Sequence, residues 1–195
     1  MTVKKQIVFA TNNAHKLEEI RKIMGPEWHI MSLSEIGCTA DIPETADTLS
    51  GNAEIKARYV KEHFGYDCFA DDTGLLVDAL DGAPGVYSAR YAGENHDSVA
   101  NMKLLLENMK GVTDRKAHFS TVIALAEGDD LRFFEGSVHG VITYTPSGEG
   151  GFGYDPVFLP DGYDVTFSCM SADEKNAISH RGRATRKLIE YLANK

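Results

Sequence analysis

The chain has 195 residues, 43 % of them apolar, enough for one sizeable core, and no composition break marks a second independent domain, so residues 1–195 read as a single domain. Lys plus Arg number 20 against 29 Asp plus Glu, and the resulting net charge of −9 disfavours non-specific attraction to nucleic-acid backbones or anionic membranes. Cys38, Cys68 and Cys169 lie far apart with no CxxC pair, and the N-terminal apolar run "IVFA" is too short for a signal or membrane segment; a reducing, cytoplasmic setting is expected, with no nucleic-acid or membrane partner.

Along the chain, "KQIVFATNN" predicts a short buried strand, since Ile7 to Ala10 are consecutive and mostly β-forming and Thr11-Asn12-Asn13 ends it. "AHKLEEIRKIMG" sets Leu17, Ile20, Ile23 and Met24 at helical spacing, and Gly25-Pro26 stops it. "WHIMSL" predicts a second strand and "GCTADIPETADTLSGN" a loop. A helix over "AEIKARYVKEHFG" and a strand over "DCFADD" follow. "DGAPGVYSARYAG" has no usable period and predicts a loop with functional potential. "DSVANMKLLLENMKG" predicts a helix capped by Asp97 or Ser98. Two long strands around a turn at Glu127 to Asp130 make an antiparallel hairpin, and the C-terminal segment supplies closing helices, with Ser171 and Glu174 spaced as a capping box and Ser179 as a second cap. The fold class is α/β, with a mixed, partly antiparallel central sheet and flanking helices.

Four stretches carry chemistry. "TNNAHK" joins strand to helix, so its backbone N–H groups with Lys16 can hold an anion, although capping by Asn12 or Asn13 explains the same letters. "GEGGFGYDP" matches G-x-G-x-x-G, but Pro156 prevents it from opening a helix, so a dinucleotide fingerprint is rejected. What remains is a glycine loop presenting Phe152, Tyr154 and Asp155, either to a heteroaromatic ring or as a turn with core aromatics. "EKNAISHRGRA" concentrates Lys175, His180, Arg181 and Arg183, which suits a solvated basic face or a landing place for a polyanion. In "FADDTG", Asp71 and Asp72 stand side by side at the expected end of a buried strand. Their adjacency points them to opposite faces, unlike the Asp-x-Asp pair of a haloacid-dehalogenase-type phosphatase. One of them can share Mg²⁺ with Glu44, and the other can bind local backbone.

Together these segments resemble the inosine/xanthosine triphosphate pyrophosphatase family. The resemblance rests on "TNNAHKLEEI", "ADDTGLLVDALDGAPGVYSARYAG", "GGFGYDPVF" and "EKNAISHRGRA", in that order over nearly the full length. It implies a two-lobed α/β fold with a central cleft, a homodimer, and hydrolysis of noncanonical purine nucleoside triphosphates (ITP, dITP, XTP) to monophosphate and pyrophosphate. Residue by residue, it implies that Thr11, Asn12, Asn13, Ala14, His15 and Lys16 hold the triphosphate, with Lys56 adding charge. Glu44 and Asp72 would hold Mg²⁺, with Asp72 also the proton acceptor that activates water. Thr73, where the family commonly has Ser, would contact substrate, and Phe152, Gly153, Tyr154, Asp155, Lys175, His180 and Arg181 would form the nucleoside pocket. In one departure, "TLSGNAEIKA" has Leu49 and Gly51 where family members often have Phe and Glu. The alternatives are a nucleotide-binding sensor without turnover and a pyrimidine-tolerant nucleotide pyrophosphatase.

Overall fold

The computed structural model describes residues 5–194. Its elements are β1 (Lys5–Phe9), α1 (Ala14–Met24), β2 (Trp28–Met31), α2 (Leu49–Phe64), β3 (Cys68–Val77), β4 (Pro84–Gly85), α3 (Ser98–Asn108), β5 (Lys116–Glu127), β6 (Asp130–Ile142), β7 (Phe158–Pro160), α4 (Ala172–Ile178) and α5 (His180–Ala193). The sheet runs in the order β2-β1-β3-β5-β6-β7, with β4 paired to β3. Strand β1 is parallel to β2 and β3, whereas β4 is antiparallel to β3 and β7 to β6. This is the mixed sheet with flanking helices that the sequence predicts. Among the described residues no helix is long and apolar enough to cross a membrane.

Two compact units divide the chain. Of the described residues, those up to Asp72, Thr121–Gly136 and those from Arg181 onward form the first; Thr73–Ser120 and Ser137–His180 form the second. In the first unit helices cover both faces of the sheet, which is why β1 reads as a continuous apolar run. Val8, Ala10, Cys68, Ala70, Ala124 and Ala126 pack with Ala53, Ala57 and Val60 of α2. Their alternate neighbours Ile7, Phe9, Phe69, Ile123 and Leu125 pack with Ile20 and Met24 of α1 and with Ala184, Leu188 and Leu192 of α5. The two-residue period of a strand therefore assigns Cys68 and Ala70 of β3 to α2 and Phe69 to α1 and α5. In the second unit, Leu75, Val77, Phe119, Val138, Phe158 and Phe167 share a core with Leu105 of α3 and Met109 just beyond it.

Local signals set most helix starts. Asn13 caps α1, Asp97 caps α3 by accepting from Val99 and Ala100 N–H at 2.9 and 3.0 Å, and Ser171 with Glu174 forms the expected capping box of α4. Ser179 separates α4 from α5 in extended conformation. Gly128 and Asp129 join β5 to β6, as the hairpin pattern predicts.

Three expectations are corrected. Strand β3 does not stop at Asp72 but continues to Val77, so both acids are mid-strand and buried. The segment 81–93 is not all loop: Pro84 and Gly85 pair with Leu76 and Leu75. Helix α2 begins at Leu49 rather than Ala53, because the Thr48 hydroxyl accepts from Gly51 N–H at 3.1 Å and starts the helix a turn early.

That early start requires Gly51. A Cβ on Gly51 would lie 2.6 Å from the Cβ of Ala46, so this glycine lets the segment carrying Glu44 lie close against the first turn of α2. Gly51→Ala gains up to about 1 kcal/mol of helix propensity but incurs overpacking of roughly 1–3 kcal/mol. The clash wins, and chemical denaturation of Gly51→Ala is expected to show a net loss of stability.

Candidate active site

The strand period decides what each of the adjacent acids meets. Asp71, in phase with Phe69, faces α1 and α5. Its Oδ1 accepts from Lys16 Nζ at 3.0 Å and its Oδ2 from Arg181 Nε at 3.1 Å, while Arg181 Nη1 donates to Glu19 at 2.5 Å. The chain Lys16, Asp71, Arg181, Glu19 is nearly closed to solvent, with Arg181 and Asp71 each 1 % exposed. Burial alone would raise the Asp71 carboxyl, but Lys16 and Arg181, with Lys56, outweigh it and hold the pKa far below the usual carboxylate range. Burial likewise lowers Lys16 more than Asp71 raises it. Asp71 thus takes two cations, one on each carboxylate oxygen.

Asp72, in phase with Ala70, faces α2. Its Oδ2 accepts from Asn52 Nδ2 at 3.1 Å, and its Oδ1 lies 3.8 Å from Lys56 Nζ. Lys56 Nζ also makes a short ion pair with Glu44. Two carboxylates from separate segments therefore converge on one ammonium nitrogen. Burial is the largest influence on Asp72 and raises its pKa despite Lys56 and Lys16, and Glu44 nearby adds to the rise. Burial would raise Glu44 too, but Lys56 and then Lys16 overcome it and lower the pKa. For Lys56, burial is outweighed by Asp72, Glu44 and Asp71, which raise it. Glu44, Asp72, Lys16 and Lys56 form one electrostatically coupled cluster in the first unit.

Asn52 ties this cluster together. Wholly buried, it donates to Asp72 and accepts from Ala46 N–H at 2.9 Å, linking the Glu44 segment to β3. The sequence assigns no such role to Asn52 and does not single out Glu19. The available signal was spacing: Glu19 lies three residues after Lys16, on the same face of α1. In the 11–16 loop, Thr11 Oγ1 accepts from Asn13 N–H and Asn13 Oδ1 from Lys16 N–H, each at 3.1 Å, so the capping reading holds there. Asn12, Asn13, Ala14 and His15 are exposed, and Thr73 is half-buried.

The second unit gathers most of the other residues named from the sequence. Asp155 Oδ2 accepts from Phe152 N–H at 2.8 Å and from Lys175 Nζ at 2.6 Å. Lys175 Nζ also lies over the rings of Phe152 and Phe167, at 4.7 and 5.8 Å from their centroids. A side chain on Gly151, at φ +72°, would run into the Asp155 carboxylate, so a glycine is needed there. His180 stacks on Phe119 with centroids 4.6 Å apart. Tyr154 is a core residue whose hydroxyl donates to the Ser88 carbonyl at 2.8 Å. Lys175 and Arg181 are both buried against carboxylates, so neither belongs to a solvated basic face. Arg181 binds Asp71 and Glu19 in the first unit.

A profile of the Ham1 family matches residues 7–191. The chain belongs to the Ham1 family. It is 54 % identical over 188 residues to a dITP/XTP pyrophosphatase of Porphyromonas gingivalis, covering 96 % of this chain and 97 % of that protein. A relative of the same description from Bacillus licheniformis is 46 % identical, with 96 % and 98 % covered. Among solved structures, the Staphylococcus aureus Ham1 protein superposes with a TM-score of 0.88 at 40 % identity, covering 97 % of this chain and 99 % of that one. The Coxiella burnetii HAM1 protein gives 0.89 at 38 %, covering 98 % and 100 %. In this Ham1 chain the buried ion pairs of Asp71 should govern acid stability. Because its folded pKa is depressed, their contribution is present above the unfolded carboxylate value of about 4 and fades as pH falls below it. Denaturant unfolding of Asp71→Asn is expected to show a deficit of roughly 3–5 kcal/mol at pH 7 that narrows below about pH 4.

Proposed function

We propose that the chain hydrolyses noncanonical purine nucleoside triphosphates, ITP, dITP and XTP, to the monophosphate and pyrophosphate. The observation that carries this reading is the convergence of Glu44 and Asp72 on a single cation beside Lys16, in a chain of the Ham1 family whose relatives are described as dITP/XTP pyrophosphatases. Two carboxylates drawn to one positive centre are a donor set suited to Mg²⁺, which takes few protein ligands and completes its octahedron with water and phosphate oxygens. Glu44 and Asp72 would hold the ion, and its chemistry there would be to neutralise phosphate charge and acidify a bound water.

The protein's own groups supply the rest. Lys16 and Lys56 offset charge on the polyphosphate, which matters because attack at the α-phosphorus expels a highly charged diphosphate. Asp72 accepts the proton of the attacking water; the water oxygen bonds to the α-phosphorus as the bond to the bridging oxygen breaks, releasing pyrophosphate. Burial raises the Asp72 pKa, and the divalent ion it would hold would favour the ionised carboxylate that accepts the proton. Base recognition falls to the Phe152–Asp155 segment, Lys175 and His180. Donors aimed at a C6 carbonyl would be left unpaired against the C6 amino group of adenine. Guanine shares the C6 carbonyl, so its exclusion uses the 2-amino group. A homodimer in the cytoplasm completes the proposal.

A panel of nucleoside triphosphates assayed with and without Mg²⁺, following pyrophosphate and orthophosphate separately, tests this reading. ITP, dITP and XTP should release pyrophosphate first, with ATP roughly 10⁴-fold slower in kcat/KM. Orthophosphate as first product, or equal turnover of ATP, GTP and ITP, would overturn it, and comparable turnover of dUTP, TTP and CTP would favour the pyrimidine-tolerant reading. In the same assay Asp72→Asn should lower kcat at least ~10²-fold with the circular dichroism spectrum unchanged.

A further inference from the structure

Lys56 occupies an unusual place for a phosphate-binding lysine. It is 8 % exposed, it projects from α2, and its ammonium is shared by Glu44 and by Asp72 Oδ1 at 3.8 Å. These two carboxylates are the ones that the proposed function gives to the metal. An ammonium and a divalent ion cannot both sit between the same pair of oxygens, because each needs those lone pairs and the two cations repel at that distance. Without a cation there, Glu44 and Asp72 would be two like charges in a largely buried setting, which is costly. Lys16 does not share this position: its ammonium is bound to Asp71, the acid on the opposite face of β3.

We infer that Lys56 is an internal counter-ion that holds the place between Glu44 and Asp72 and must give it up when a divalent ion enters. The inference rests on the metal-assisted reading above and adds an order of events to it. Entry of the ion frees the Lys56 ammonium, and its flexible four-carbon stem lets the released charge turn to a polyphosphate oxygen. One exchange thus assembles both positive groups that the leaving diphosphate requires. It also explains how the two acids stay close together before any substrate is bound.

The test is direct binding of Mn²⁺, without nucleotide, to the intact chain and to Lys56→Gln and Lys16→Gln, followed by electron paramagnetic resonance of the free ion. Loss of a competing cation should tighten Mn²⁺ binding about tenfold or more in Lys56→Gln, whereas Lys16→Gln, whose ammonium acts on Glu44 and Asp72 but is bound to Asp71, should tighten it several-fold less. Mn²⁺ should also raise the melting temperature of Lys56→Gln more than that of the unaltered protein. Equal tightening in the two variants reduces Lys56 to a general field effect and overturns the inference, as does weaker or unchanged binding in Lys56→Gln. Because Lys56→Gln could fail to fold, the unaltered protein is also labelled with acetic anhydride with and without Mg²⁺. Acetylation of Lys56, read by peptide mass spectrometry, should rise at least about threefold with Mg²⁺ if the ion expels the ammonium from its buried pair. No rise overturns the proposal. Absence of Mn²⁺ binding by every form, with nucleotide present as well, would instead overturn the metal-assisted reading on which it rests.

Discussion

Two adjacent carboxylates in the middle of a buried strand are the constraint around which the first unit is organised. Neither Asp71 nor Asp72 can be left unneutralised at 1 % and 5 % exposure, and together they would repel. The strand separates them by sending them to opposite faces, so each acquires its own counter-ions: Lys16 and Arg181 on one face, Lys56 with the amide of Asn52 on the other. The helices that cover those faces for hydrophobic reasons are the same ones that carry the cations. Packing and charge compensation are therefore a single solution.

The environments of the two acids then diverge. Asp71 is held fully ionised by two close cations and is suited to fixing Lys16 and Arg181 in place. Asp72 meets the Asn52 amide and a more distant ammonium, that of Lys56 at 3.8 Å, and burial keeps its proton affinity up. Neighbouring groups with pKa values pushed apart are the usual basis for dividing a structural role from a proton-transfer role. Glu44 belongs with Asp72 because Asn52 binds both Asp72 and the backbone of Ala46, two residues beyond Glu44. Gly51 leaves room for that approach.

The second unit solves a related problem with one ion pair. The glycine loop presents Asp155, whose carboxylate is satisfied by its own loop through Phe152 N–H and by Lys175 from α4. Lys175 then lies over two aromatic rings, so a charged group is buried within an apolar pocket without being left uncompensated. That combination of an aromatic face, an acceptor and a donor suits recognition of a flat, polar-edged ring.

Much of this could be read from the sequence, because the signals are local. The apolar runs, the Gly25-Pro26 stop, the Ser171 and Glu174 box and the hairpin turn each act within a few residues, and the four motifs in order identify the family. The opposite orientation of Asp71 and Asp72 also follows from strand geometry alone. What the sequence does not contain is which helix covers which face, since that depends on contacts between residues far apart in the chain. Asp71 and Arg181 are 110 positions apart, so their pairing, and with it the place of Arg181 beside Asp71, is decided only when α5 packs onto the sheet. The extension of β3 beyond the acids has the same origin: a strand can run through adjacent carboxylates only where tertiary structure brings a cation to each side.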